Sequence, residues 1–125
     1  MKLLATFAIV TALALTGCTQ TPTTESQQQQ AVLSSNSKIS VEMSEFSFSP
    51  ASIRLPAGES TTVEVINVGS MLHTFTVNDL GIDVRLAAGE RETITVTPEQ
   101  TGSSDSLCTI ENHAALGMVG TVIVE

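Results

Sequence analysis

Residues 107–118 read Leu-Cys-Thr-Ile-Glu-Asn-His-Ala-Ala-Leu-Gly-Met, which places the thiol of Cys108, the imidazole of His113 and the thioether of Met118 within eleven residues. A second imidazole, His73, lies on an earlier segment. A thiolate and two imidazoles in a trigonal set, with a weak axial methionine, form the ligand field of electron-transfer copper sites. Zinc generally gains nothing from a thioether, so Met118 favours copper. Taken singly, each residue has an ordinary structural explanation: an edge histidine, a small buried cysteine, a gap-filling methionine. Taken together they use both histidines and the one cysteine outside the N-terminal segment. Met43 follows an apolar alternation and Met71 stands two residues before His73, and both are read as packing.

Such a set needs a scaffold, and the chain supplies short runs of period two. Ile39, Val41 and Met43 alternate, then Phe46 and Phe48, then Ile53 and Leu55 after Pro50. Val63 and Val65 follow the break at Pro56, Ala57 and Gly58, with Val68 beyond, before Gly69 and Ser70 interrupt. His73, Phe75 and Val77 share one parity; Asn78 to Gly81 reads as a turn; Ile82, Val84 and Leu86 alternate; so do Ile94 and Val96 before Pro98. The last strand is expected over Val119 to Val124. Period two marks half-buried strands, and many such strands punctuated by Gly and Pro predict an all-β antiparallel sandwich or barrel. In that architecture one strand presents His73 while a single loop between the last two strands presents Cys108, His113 and Met118.

Composition removes several functions. The 125 residues carry 13 acidic and 5 basic side chains, a formal charge of −8. That balance disfavours nucleic acids and anionic lipid surfaces as partners. Phe7, Phe46, Phe48 and Phe75 are the only aromatic residues apart from the histidines, with no Trp or Tyr, so platforms for stacking bases or sugars are missing.

Residues from about Val41 to Val124 resemble the cupredoxins, especially the small plastocyanin and azurin group. The matching residues are Phe46, Ser47, Phe48, Ser49 and Pro50; the turn Pro56, Ala57, Gly58, Glu59; His73 with Phe75; and Cys108, His113, Gly117, Met118, Val119, Gly120 and Thr121. The resemblance implies a Greek-key β-sandwich holding one mononuclear type 1 copper, with His73, Cys108 and His113 as strong ligands and Met118 axial. It further implies one-electron transfer without catalysis of bond-making, and a loop histidine, His113, that reaches the surface among Ala114, Ala115 and Leu116 as the electron port. The chain departs from the family at Glu111 and Asn112, where relatives usually carry Pro and Gly. Asn accepts a left-handed backbone better than most residues, so Asn112 can make the turn. The segment Ser103, Ser104, Asp105, Ser106, Leu107 replaces the aromatic residues that often precede the cysteine and is expected to be a polar, frayed strand. Thr74 follows His73 where relatives often have Asn or Asp, the usual partner that clamps the ligand loop.

The N-terminus has Lys2 followed by a mostly apolar stretch from Leu3 to Leu15, a charged start and hydrophobic run of signal-peptide length. Leu15, Thr16, Gly17, Cys18 resembles a bacterial lipobox, which implies cleavage before Cys18 and acylation of that cysteine. Residues 1–17 are then a lipoprotein signal peptide. Residues 18–37, rich in Thr, Gln and Ser, form a lipid-anchored flexible linker, and residues 38–125 the copper-binding domain. No Cys18–Cys108 bridge is expected. The expected protein is an extracytoplasmic or periplasmic, membrane-anchored monomer. Its acidic surface, including Asp105 and Glu111, suits a redox partner with a basic face, such as a c-type cytochrome or a respiratory enzyme. Three other readings stay open: a lipoprotein that delivers or detoxifies copper, a metal-free scaffold sandwich, and a catalytic Cys108–His73 pair.

Overall fold

The structure, a computed structural model, describes residues 37–125. The expected signal peptide, the lipidation site Cys18 and all but the last residue of the linker lie outside the described residues. Nine strands follow in order: β1 (Ser37–Ser44), β2 (Ser47–Ser49), β3 (Ser52–Leu55), β4 (Thr61–Asn67), β5 (His73–Val77), β6 (Ile82–Leu86), β7 (Arg91–Val96), β8 (Gly102–Leu107) and β9 (Val119–Val124). They form a four-stranded sheet, β2-β1-β4-β7, and a five-stranded sheet, β3-β9-β8-β5-β6. Among the described residues there is no helix long and apolar enough to cross a membrane.

The alternation read from the sequence is the alternation that is buried. Val41, Met43, Phe48, Ile53, Leu55, Val63, Val65, Phe75, Val77, Ile82, Val84 and Leu86 all join one core cluster between the sheets. Each fully buried Val, Leu, Phe or Met contributes about 1.5–3 kcal/mol from apolar transfer alone. Phe48 and Phe75 meet edge-to-face across the core with ring centroids 5.4 Å apart, the arrangement that the ring quadrupoles favour.

The purely antiparallel expectation needs correction. β1 runs parallel to β4 and β3 parallel to β9, while the remaining pairs are antiparallel. The chain passes from one sheet to the other between β2 and β3, so β1 and β3 each lie beside a distant strand with the same direction. Gly120 makes the β3–β9 approach possible: a Cβ there would stand 2.5 Å from the Ala51 carbonyl oxygen and 2.7 Å from Ser106 Oγ.

Two further expectations change, and the turn expected from Asn78 to Gly81 is borne out. The polar strand β8 is not frayed, because all six of its residues pair with β9, from Gly102 opposite Val124 to Leu107 opposite Val119; backbone ladder bonds do not depend on side-chain polarity. Asn78–Leu80 is a short 3-10 turn, closed by Gly81 in the left-handed region. Met71, read as packing, is 41% exposed and Val68 53% exposed; both lie past the end of β4.

Candidate metal centre

His73 opens β5, Cys108 follows the last residue of β8, and His113 lies in the connection from β8 to β9. This brings their donor atoms to one end of the sandwich, within 4.8 Å of one another. His73 Nδ1 is 3.2 Å from His113 Nδ1, and Cys108 Sγ is 3.5 Å from the same His113 nitrogen. All three residues are buried, His73 at 0%, Cys108 at 1% and His113 at 4% exposure.

The loop is built to hold this shape. The Cys108 amide donates to the Met118 carbonyl at 3.1 Å and the Met118 amide to the His113 carbonyl at 3.0 Å, so the segment closes on itself at its base. Within it, the His113 amide donates to Ile110 O, the Leu116 amide to Asn112 O and the Gly117 amide to Ala114 O. Met118 is fully buried beside this closure. Asn112 has φ +63°, the left-handed turn expected where relatives carry glycine. A β-branched residue there is strained by roughly 1–2 kcal/mol. Asn112→Val is therefore expected to lower the unfolding free energy of the metal-free protein, read from a urea titration, by that amount, while Asn112→Gly leaves it nearly unchanged.

Thr74 clamps the loop in place of the amide or carboxylate that relatives often use. Its backbone N–H points at Cys108 Sγ at 3.4 Å. Its hydroxyl oxygen accepts from the Thr109 amide at 2.7 Å and meets the Thr109 hydroxyl at 3.0 Å. Thr76 lies 3.3 Å from the Thr74 hydroxyl and donates to the Asp83 carboxylate at 2.9 Å. Thr109 is invisible to sequence reasoning, because its partner stands 35 residues away.

The residues fit a soft metal cation on chemical grounds. Burial first, and His113 next, push the pKa of His73 below the ordinary imidazole value, with Glu45 opposing. A neutral ring presents a lone pair. His73 Nε2 has no hydrogen-bond partner, so this ring is oriented by packing and by what its Nδ1 faces. Two imidazoles and a thiol with a neighbouring methionine are the donors that Cu(I) and Cu(II) share.

A family model described as a cupredoxin-like domain matches residues 6–124. The chain belongs to the cupredoxin-like domain family. Solved structures carry the same fold: a dithionite-reduced auracyanin from the photosynthetic bacterium Roseiflexus castenholzii is 21% identical, with a TM-score of 0.64 over 71% of this chain and 97% of that one. Auracyanin A, a blue copper protein from Chloroflexus aurantiacus, is 15% identical with a TM-score of 0.61, over 72% and 99%. The metal-binding domain of a Cu(I)-exporting P-type ATPase from Streptococcus pneumoniae is 19% identical with a TM-score of 0.62, over 74% and 88%. No curated protein sequence matches.

This cupredoxin-like domain differs from the expected port in one respect. His113 keeps only 4% exposure, whereas Leu116 of the same loop is 59% exposed. The ring is covered because Phe46, on the turn between β1 and β2, packs edge-to-face against it at 5.2 Å between centroids. A second supporting residue, Asn67, is fully buried at the end of β4. Its Nδ2 donates to the carbonyls of Met71 and Leu86, and its Oδ1 accepts from the Gly69 amide. The period-two pattern does not mark a polar residue at this inward position as a support for the site.

Proposed function

We propose that this cupredoxin-like domain is an extracytoplasmic one-electron carrier in which His73, Cys108 and His113 would hold copper, with the Met118 thioether as a further, weaker donor. The observation that carries this reading is the buried convergence of His73, Cys108 and His113 within 4.8 Å. Copper bound there supplies a one-electron Cu(I)/Cu(II) couple, and no substrate bond is made or broken. The chain's own residues do the rest. Cys108 gives up its thiol proton on binding, and the Thr74 N–H then faces the sulfur charge. The Cys108–Met118 backbone closure and the Thr74–Thr109 clamp keep the loop in one shape for both oxidation states. Burial excludes water from the donors, so little solvent reorganises when the charge changes. Cys18 is the lipid anchor and residues 18–37 the tether, and the acidic surface meets a basic face on a cytochrome or respiratory enzyme. Exposed Leu116, Val68 and Met71 offer apolar contact of the kind that brief docking uses.

The test is voltammetry of the copper-loaded full chain. A reversible one-electron couple supports the carrier. A second reading, copper delivery or detoxification, draws on the likeness to a Cu(I) exporter's metal-binding domain; it predicts rapid loss of copper to chelators and a sluggish couple. Met118→Gln is expected to keep copper and lower the potential, because an amide oxygen is a harder donor that favours Cu(II). An unchanged potential removes Met118 from the ligand set.

A further inference from the structure

Ser44 and Ser47 pair across a two-residue turn, Glu45–Phe46, that joins β1 to β2. Two features of this turn are unusual for its residues. Phe46 has φ +62°, a left-handed conformation that costs a bulky non-glycine residue about 1–2 kcal/mol. Such a conformation persists only where surrounding contacts hold it, and the contact made here is the edge-to-face packing of the ring on His113. Glu45, for its part, reaches across to the segment that leads into His73. Its Oε1 accepts from the Ser70 backbone N–H at 2.5 Å and from the Ser70 hydroxyl at 2.9 Å.

Gly69 permits that approach. A Cβ on residue 69 would stand 2.8 and 3.0 Å from the two Glu45 carboxylate oxygens, so any other residue displaces them. The same segment is held from beneath by Asn67, which binds the Gly69 amide and the Met71 carbonyl. It is also tied to β1 by the Val68 amide, which donates to the Met43 carbonyl at 2.9 Å. Glu45 is therefore the outer of three anchors on residues 68–72, and it holds Ser70, three residues from His73.

We infer that the Glu45–Phe46 turn is a positioning clamp for both imidazoles of the site: Glu45 fixes the approach to His73 through Ser70, and Phe46 fixes the ring of His113. This inference rests on the reading of the two histidines as metal ligands. One rigid turn on the first sheet thus sets the relative placement of two residues that come from β5 and from the β8–β9 loop. The Ser70 backbone and hydroxyl contacts hold the Glu45 carboxyl at about 2, against an ordinary 4.5. A depressed folded-state value means the strap is intact above the ordinary carboxylate range and is lost only as pH falls through about 2. The clamp is therefore in place throughout the range in which the donors bind metal.

The test needs no copper in its first arm. In the metal-free full chain, Glu45→Ala is expected to speed hydrogen exchange of the Ser70 amide at least about tenfold and to move the NMR signals of the His73 ring. Exchange at Val63 and Val65 in β4 should not change. Glu45→Gln, which keeps an acceptor oxygen, restores most of the protection. Phe46→Gly suits the left-handed backbone and removes only the ring, so the turn stays while the His113 ring protons shift and those of His73 do not. In the copper-loaded chain, Glu45→Ala and Phe46→Gly each shift the charge-transfer band and speed release of copper to a chelator. Unaltered Ser70 exchange in Glu45→Ala, or histidine signals unmoved in both variants, overturns the clamp. Failure of the wild-type chain to bind copper overturns the proposed function instead and leaves the metal-free arm to decide the clamp.

Discussion

Cys108→Ser is expected to abolish the intense visible absorption of the copper-loaded protein while leaving the fold intact. The band of a type 1 site is a transfer of charge from thiolate sulfur to copper, so a hydroxyl in the same place cannot produce it. Affinity falls as well. Even outer partners of metal ligands are worth about 10- to 100-fold in binding, so loss of the one anionic donor costs more than roughly a hundredfold. The fold survives because Ser is close in size to Cys and its oxygen still accepts from the Thr74 N–H, the contact that Cys108 Sγ makes at 3.4 Å. A Cu(II) titration followed by visible absorption and EPR, beside a urea titration of the metal-free variant, measures both effects. Identical copper binding by wild type and variant eliminates Cys108 as a ligand and favours the copper-handling reading, whereas no copper binding by either favours the metal-free scaffold.

Asn67→Leu is the second large effect, and it falls on stability. The side chain is fully buried and makes three hydrogen bonds, to Met71 O, Leu86 O and the Gly69 amide. Leucine has nearly the same shape and no polar atoms, so it leaves two carbonyls and one amide without partners. A buried group left unpaired costs about 1–3 kcal/mol. Exposed Met71 lies where water can replace one of these bonds, and a total of about 3 kcal/mol is expected. Against the roughly 5–15 kcal/mol that holds a domain together, that is a large fraction. Urea unfolding should show a lower midpoint with an unchanged m value, because the surface exposed on unfolding is the same. A loss under about 1 kcal/mol would show that Glu45 and the Val68–Met43 bond hold residues 68–72 without Asn67. The variant should also lower copper affinity, since the segment ends at His73.

The sheets were legible because alternation is a local property. Val41, Met43, Val63, Val65, Phe75 and Val77 announce their inward parity within their own runs, and each is buried. Asn112 was legible for a similar reason, since its backbone angle is set by its own side chain and by the turn it makes. Met71 was misread because burial past the end of a strand depends on what the opposite sheet places over it. Strand β8 was misread because its six residues are held by the backbone of β9 and not by their own side chains.

By itself the sequence determined the strand pattern, the four candidate donors and the loop that carries three of them, because contacts among residues 108–118 span few residues and strand period needs no knowledge of partners. Tertiary structure alone decided that Thr74 meets Thr109, that Glu45 meets Ser70 and that Phe46 covers His113. Those pairs are 35, 25 and 67 residues apart, and whether they touch depends on sheet order, register and the way one sheet lies over the other. Such quantities come from the packing of the whole core and are written in no single stretch of the chain.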